Sequence, residues 1–346
     1  MTFFMLVVVV VGMLGSLLTT PLFMRLGEQW GLVQAPMRDR DIHTRPVPRI
    51  GGLGMLVGFL IAVIVAVWLP VPRTDPNEFI RLRGLILGAL LAALIGLYDD
   101  RYELPPKPQL LAQIGLGMVA AWHLIFIEVF RNPFTGELIG PLPWWIVWPL
   151  TIFWFTGTLN TINWLDGLDG LAAGVVAIAS AVFAAHMIRL GQYSVALLAL
   201  ALLGATLGFL PYNFNPARTF MGTTGAYFLG YTLAALGIMA GAKVATFLLV
   251  LIIPILDVAW QIVARIRQGR SPFHGDRGHL HHRLYDAGFS QRQVVLTYWG
   301  ICALFGTLAL LLPTPVFKLL ALSIVSLGAL AFFWYLARRQ TNEAGR

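Results

Sequence analysis

Apolar runs long enough to cross a membrane recur throughout this sequence, and they leave very few folds open to it. They lie near residues 3–23, 51–70, 82–98, 109–128, 144–159, 171–188, 193–211, 223–241, 243–263, 295–312 and 316–337. At 1.5 Å per residue, roughly 17 to 22 residues span about 30 Å of hydrocarbon. Backbone groups in hydrocarbon must be paired within the chain, which admits helices or closed barrels. None of the runs alternates like a barrel strand. The sequence therefore predicts an all-α integral membrane protein, a polytopic bundle of about 11 transmembrane helices in a single domain over 1–346. The composition, 58% hydrophobic and 12% charged, would leave a soluble globule short of polar surface.

The first run lacks a basic leader and a small-residue cleavage site, so it reads as a retained helix with the N-terminus outside. Cys302 falls inside a predicted span and has no intrachain partner. Eleven spans divide the loops between two sides, with 17 of the 24 Lys and Arg on one side and 7 on the other. By the positive-inside rule the richer side, which includes the C-terminus, is cytoplasmic. The net charge of +8 follows from this orientation and from anionic membrane lipids. No basic patch with interleaved aromatics marks a nucleic-acid partner.

The unusual polar residues gather on the cytoplasmic side, in loops near 24–50, 99–108, 160–170, 212–222 and 264–294. LYDDRYELPPK carries Asp99, Asp100 and Lys107, and NWLDGLDG carries Asn163, Asp166 and Asp169. NFNPARTFMGTTG carries Arg218, Thr223 and Thr224. The segment from Asp257 to Leu284 includes Arg265, Arg267, His274, Arg277, His279, His281, His282 and Arg283. Asp166 and Asp169 are three apart and are expected on one face near the start of the sixth span, where a helix N-terminus favours negative charge. Capping alone needs one carboxylate. Four carboxylates facing one compartment repel one another unless a cation sits among them. Mg²⁺, or Mn²⁺ in its place, suits one or two carboxylates plus substrate phosphates. Gly167, Gly170, Gly222 and Gly225 are expected to let backbone approach a phosphate. The histidines have no nearby cysteine and no HExxH spacing for zinc. With Arg277 and Arg283 they read as anion donors. Asp257 is either part of the site or the cap of a span.

LYDDR with Lys107, NWLDGLDGLAAG, PARTFMG and the ILD segment leading into DRGHLHHRL occur in order. Together they resemble the polyprenyl-phosphate N-acetylhexosamine-1-phosphate transferases over nearly the whole chain. The HLHHR run resembles the N-acetylglucosamine branch more than the muramyl-pentapeptide branch. The resemblance implies transfer of N-acetylglucosamine 1-phosphate, or a related sugar 1-phosphate, from a UDP-N-acetylhexosamine to undecaprenyl phosphate, releasing UMP at the start of cell-envelope glycan synthesis. It implies catalytic roles for Asp99, Asp100, Asp166 and Asp169, and metal contacts from Asp99, Asp100, Asn163, Asp166 and Thr223. It implies substrate contacts from Lys107, Asn163, Arg265, Arg267, His279, His281, His282 and Arg283, and a homodimer by analogy. The sequence departs from the pattern at MGTTGA: Thr223 stands where the family has a metal-binding aspartate, and Ala226 where it has a hydroxyl. Either the remaining carboxylates still hold the ion, or the chain only binds lipid or nucleotide. A transporter would also have many spans, but its polar residues would lie near mid-span in two inverted halves, and no such repeat is visible.

Overall fold

The computed structural model describes residues 1–35, 45–132, 134–240, 244–271 and 278–344. Arg38, Arg40, Lys243, His274 and Arg277 lie outside the described residues.

Every predicted apolar run forms a helix. They are α1 (Thr2–Gln29), α2 (Gly52–Trp68), α3 (Glu78–Tyr102), α4 (Pro106–Trp122), α5 (Trp144–Leu165), α6 (Leu171–Arg189), α7 (Tyr193–Asn213), α8 (Gly222–Met239), the pair α9 (Val244–Val250) and α10 (Ile252–Arg267), α12 (Gln291–Leu311) and α13 (Pro315–Ala344). A short helix, α11 (Leu280–Asp286), and two antiparallel two-stranded ribbons were not expected. The ribbons pair β1 (Val33–Gln34) with β2 (Val47–Pro48), and β3 (Phe130–Arg131) with β4 (Leu138–Ile139). Among the described residues, six helices are each long and apolar enough to span a membrane, or seven with α9 and α10 taken as one.

That pair is where the expected single span at 243–263 fails, because the chain bends by 80° between α9 and α10. Pro254 explains the position of the break. Inside a continuous helix it would lose a hydrogen bond and clash with the preceding turn, whereas in the first turn of a new helix it needs no donor. The second difference lies at NWLDGLDG. α5 ends at Leu165 and α6 begins at Leu171, so Asp166 and Asp169 sit in the turn between them and share no helix face. Gly170, at φ 82°, supplies the left-handed backbone that closes this turn.

α8 is the centre of the bundle, buried at every residue from Thr223 to Met239. It packs on α3 and α5, while α1, α2 and α7 form a neighbouring group. The α3–α8 seam is made by small residues: a side chain at Gly96 would begin 2.5 Å from the Cα of Thr224. Close backbone approach of this kind holds helices together where lipid offers no hydrophobic drive. It also brings the end of α3 onto the start of α8.

Candidate active site

At that junction the two aspartates of LYDDR are used differently. Asp100 accepts backbone N–H groups from Thr223 and Thr224, both at 2.9 Å, and the Thr224 hydroxyl at 2.7 Å. It also pairs with Arg49 at 3.2 Å. The first turn of α8 has no side-chain cap of its own, so Asp100, from another helix, satisfies its orphan donors. Gly222 is required here, since a Cβ on it would lie 2.4 Å from Asp100 Oδ2. Asp99 accepts from Leu104 N at 3.0 Å, Gln109 Nε2 at 2.8 Å and Thr223 Oγ1 at 2.7 Å. A carboxylate has about four acceptor positions. Asp100 has filled its own, and Asp99 keeps one on the oxygen facing Thr223.

The turn from Asp166 to Gly170 is the hub that joins this pair to the other motifs. Among the described residues, partly buried Asp166 has no hydrogen-bond partner. Burial pushes its carboxyl well above the usual carboxylate range, and the carboxylates of Asp100 and Asp169 push it further, against the pull of Arg49. Asp169 is tied down by Asn215 Nδ2 and Ala217 N, both at 3.0 Å. Gly170 N donates to Asn213 Oδ1 at 3.1 Å. These bonds lock the turn to the NFNPAR segment after α7.

The histidine segment closes over the same turn. Asp257 on α10 accepts from Leu280 N at 2.8 Å, so it caps α11, and its other oxygen lies 3.0 Å from His279 Nδ1. His279 Nε2 is 3.5 Å from buried Arg265, so the imidazole proton belongs on Nδ1. Trp164 lies against both, with its ring 5.8 Å from that of His279 and 5.7 Å from the Arg265 guanidinium. His281 and His282 reach Gly167, where a Cβ would begin 2.5 Å from His281 Nε2. Burial, then the His282 and His279 rings, hold His281 well below the ordinary histidine range, so it is neutral at pH 7.

Of the expected site residues, Asp99, Asp100, Thr223, Asp166, Asp169, Arg265, His279, His281 and His282 form one connected group at one end of the bundle. Arg283, partly buried, follows in α11, and Asn163 lies one turn before Asp166 on α5. Lys107, in the first turn of α4, and Arg267, at the end of α10, are exposed at its edge. The glycines act differently from the expectation: the room at Gly167, Gly170 and Gly222 faces His281, Phe214 and Asp100, so protein groups rather than an open phosphate cradle adjoin them. Sequence reasoning missed Arg49 and Gln109 altogether.

Among the described residues no three His, Cys, Asp or Glu side chains gather at metal-ligand spacing. The donors nevertheless fit a hard divalent ion bound mainly by substrate phosphates and water. The unpartnered Asp166 carboxylate, raised by its acidic neighbours, is the group such an ion would neutralise.

Residues 82–241 match glycosyl transferase family 4. The chain is 32% identical over 311 residues to a probable undecaprenyl-phosphate N-acetylglucosaminyl 1-phosphate transferase of Bacillus subtilis, covering 88% of this chain and 83% of that protein. It is 35% identical to a decaprenyl-phosphate N-acetylglucosaminephosphotransferase of Mycobacterium leprae (80% and 77% covered), and 30% identical to a phospho-N-acetylmuramoyl-pentapeptide-transferase of Desulforudis audaxviator (83% and 90%). The chain therefore belongs to glycosyl transferase family 4, as a multi-pass membrane protein whose relatives act on polyprenyl phosphates.

Proposed function

We propose that this protein is a polyprenyl-phosphate N-acetylglucosamine-1-phosphate transferase that uses UDP-N-acetylglucosamine and undecaprenyl phosphate and works at the cytoplasmic face of the membrane. The observation that carries the reading is the Asp166 carboxylate, which has no hydrogen-bond partner among the described residues, lies in the field of Asp100 and Asp169, and directly precedes the Gly167 that His281 and His282 reach. Such a group calls for positive charge that a substrate complex brings with it.

In this reading a lipid-phosphate oxygen attacks the sugar-bearing phosphorus of the donor. One P–O bond forms, the bridging P–O bond breaks, and UMP leaves with that oxygen. A phosphate monoester with a second pKa near 6 is mostly dianionic at pH 7, so no strong base is needed and Asp99 orients the nucleophile. Bound Mg²⁺, or Mn²⁺, would be held by Asp166, Asp99, Asn163 and Thr223 and would offset the crowding of anions. Asp100, with its acceptor positions filled, anchors α8 in place. Arg265, held beside His279 and through it by Asp257, presents donors to the sugar or diphosphate oxygens, where charge grows as the bridge breaks.

The test is UMP release by purified protein given undecaprenyl phosphate and UDP-N-acetylglucosamine, with and without Mg²⁺. Metal-dependent release is the expected result. No release from folded protein that still binds the nucleotide sugar or the lipid would favour the second reading, a silent binding relative. The Thr223 hydroxyl donated to Asp99 is the one observation on that side.

A further inference from the structure

We infer that Arg49 is a positioning residue of this site, the fixed positive charge that clamps Asp100 onto α8 and sets the balance between cation and anion binding at Asp166. No motif singles it out; it reads from sequence as one more basic loop residue. In the structure its Nη2 lies 3.2 Å from Asp100 Oδ1 and its Nη1 3.6 Å from Glu103 Oε1. Its side chain is 16% exposed.

The backbone around it is held on several sides. Arg49 N donates to Leu32 O at 3.0 Å, Phe220 N to Pro48 O at 2.8 Å, and Gly51 N to Phe220 O at 3.1 Å. The Arg49 carbonyl packs on Gly222, 2.2 Å from where a Cβ would be. Ile50 is fully buried. The guanidinium is therefore delivered from a rigid segment laced to the residues just before α8, and it needs little reorganisation to act. The nearby carboxylates of Asp99, Asp100 and Asp166 outnumber it. Because Thr223 brings no charge, Arg49 weighs more here than it would beside a further aspartate.

This role has a signature that simple structural support lacks. Removing one positive charge should strengthen divalent-cation binding and weaken nucleotide-phosphate binding, whereas a displaced α8 would weaken both. The inference rests on the proposed transferase reading, but its test does not use turnover.

Full-length protein in detergent, as wild type, Arg49→Gln and Arg49→Lys, would be titrated with Mn²⁺ by electron paramagnetic resonance without substrate, and with UMP by calorimetry in chelator. Arg49→Gln should bind Mn²⁺ roughly tenfold more tightly and UMP roughly tenfold more weakly, the size expected for one partly screened charge. Arg49→Lys should stay within about threefold of wild type in both. Losses in both affinities, no change in either, or a Lys variant that matches Gln would each overturn the inference. Should Arg49→Gln fail to fold, Glu103→Gln, at an exposed carboxylate, carries the same test with the signs reversed. Absence of UMP release by wild type would sink the transferase reading alone.

Discussion

The two adjacent aspartates of LYDDR should respond in opposite ways to the same change. In Asp99→Asn the amide oxygen can keep the bonds from Leu104 N and Gln109, and the new NH₂ can donate to Thr223 Oγ1, whose hydroxyl turns to accept. Every hydrogen bond survives and only the charge is lost, so stability should change by less than about 1 kcal/mol. In Asp100→Asn the donors sit on both oxygens. The best placement turns the amide oxygen to Thr223 N and Arg49 and the NH₂ to Thr224 Oγ1. That leaves the buried Thr224 N–H unsatisfied, at about 1–3 kcal/mol, and the remaining bonds lose their charge assistance. With Arg49 stripped of its main partner, a loss of about 3–4 kcal/mol follows, which at roughly 2–4 °C per kcal/mol lowers Tm by about 10 °C.

The assay is thermal unfolding in one detergent at a fixed scan rate, alongside UMP release measured well below the transition. Asp99→Asn should keep its Tm and lose at least roughly a hundredfold in turnover. Asp100→Asn should unfold early and, while folded, lose less. Equal losses of Tm in the two variants would refute the division of roles, as would an Asp100→Asn protein with wild-type Tm.

Asp166 gives a pH prediction of definite sign. Its folded pKa is raised above the model-peptide value of 3.8, so the folded state holds more protons than the unfolded one. In chelator, stability should fall as pH rises from about 4 through the folded pKa. Asp166→Asn should remove that slope and raise Tm at pH 7 while abolishing turnover; a lower Tm would count against the buried, repelled carboxylate. Thr223→Asp exchanges a donor 2.7 Å from Asp99 for a carboxylate, so Tm should drop in chelator and recover with Mg²⁺. Added turnover would then mark a site weakened by the threonine, and lost turnover a site rearranged around it. Gly167→Ala places a methyl 2.5 Å from buried His281 Nε2, so the histidines must shift; turnover should fall at least tenfold and Tm should fall with it, by the roughly 1–3 kcal/mol of an overpacked site. Unaltered turnover would separate the histidines from the chemistry.

The helices were legible because hydrophobic length is a local property, and every expected run became helical, the one at 243–263 as two helices. The break before α10 was not, because Pro254 is compatible with a kinked span as well as with a new helix. For the site, the residue types could be read but not their jobs. LYDDR presents two like carboxylates, and only the packing of α3 on α8 decides that Asp100 meets the free N–H groups of Thr223 and Thr224. Arg49 was hidden for the same reason. A signal did exist in the pair Gly51-Gly52 that follows it, since a Cβ on Gly52 would lie 2.4 Å from the Cα of Gly225. Adjacent glycines at the head of an apolar run mark close backbone approach, and that approach draws the Arg49 segment against α8.

One construction recurs on both sides of the NWLDGLDG turn. A carboxylate on one helix holds the N-terminus of another: Asp100 of α3 holds α8, and Asp257 of α10 holds α11. Each held helix then carries polar side chains into the site, Thr223 to Asp99 in one case and His281 and His282 to Gly167 of the turn in the other. Helix N-termini also favour negative charge, by about 0.3–1 kcal/mol each at an exposed surface, which suits a carboxylate as the anchor. Asp166 has no such support: it stands at the C-terminal end of α5, and among the described residues no donor hydrogen-bonds to it. Its burial among like charges is a cost that a proton or a bound cation relieves, and a cation bound there is weakest when no substrate phosphate shares it. Ion and diphosphate should therefore bind together, each raising the affinity for the other, as linkage requires. With Thr223 in place of a carboxylate, that mutual dependence should be stronger in this chain than in relatives with an aspartate there, because less of the ion's coordination comes from the protein alone.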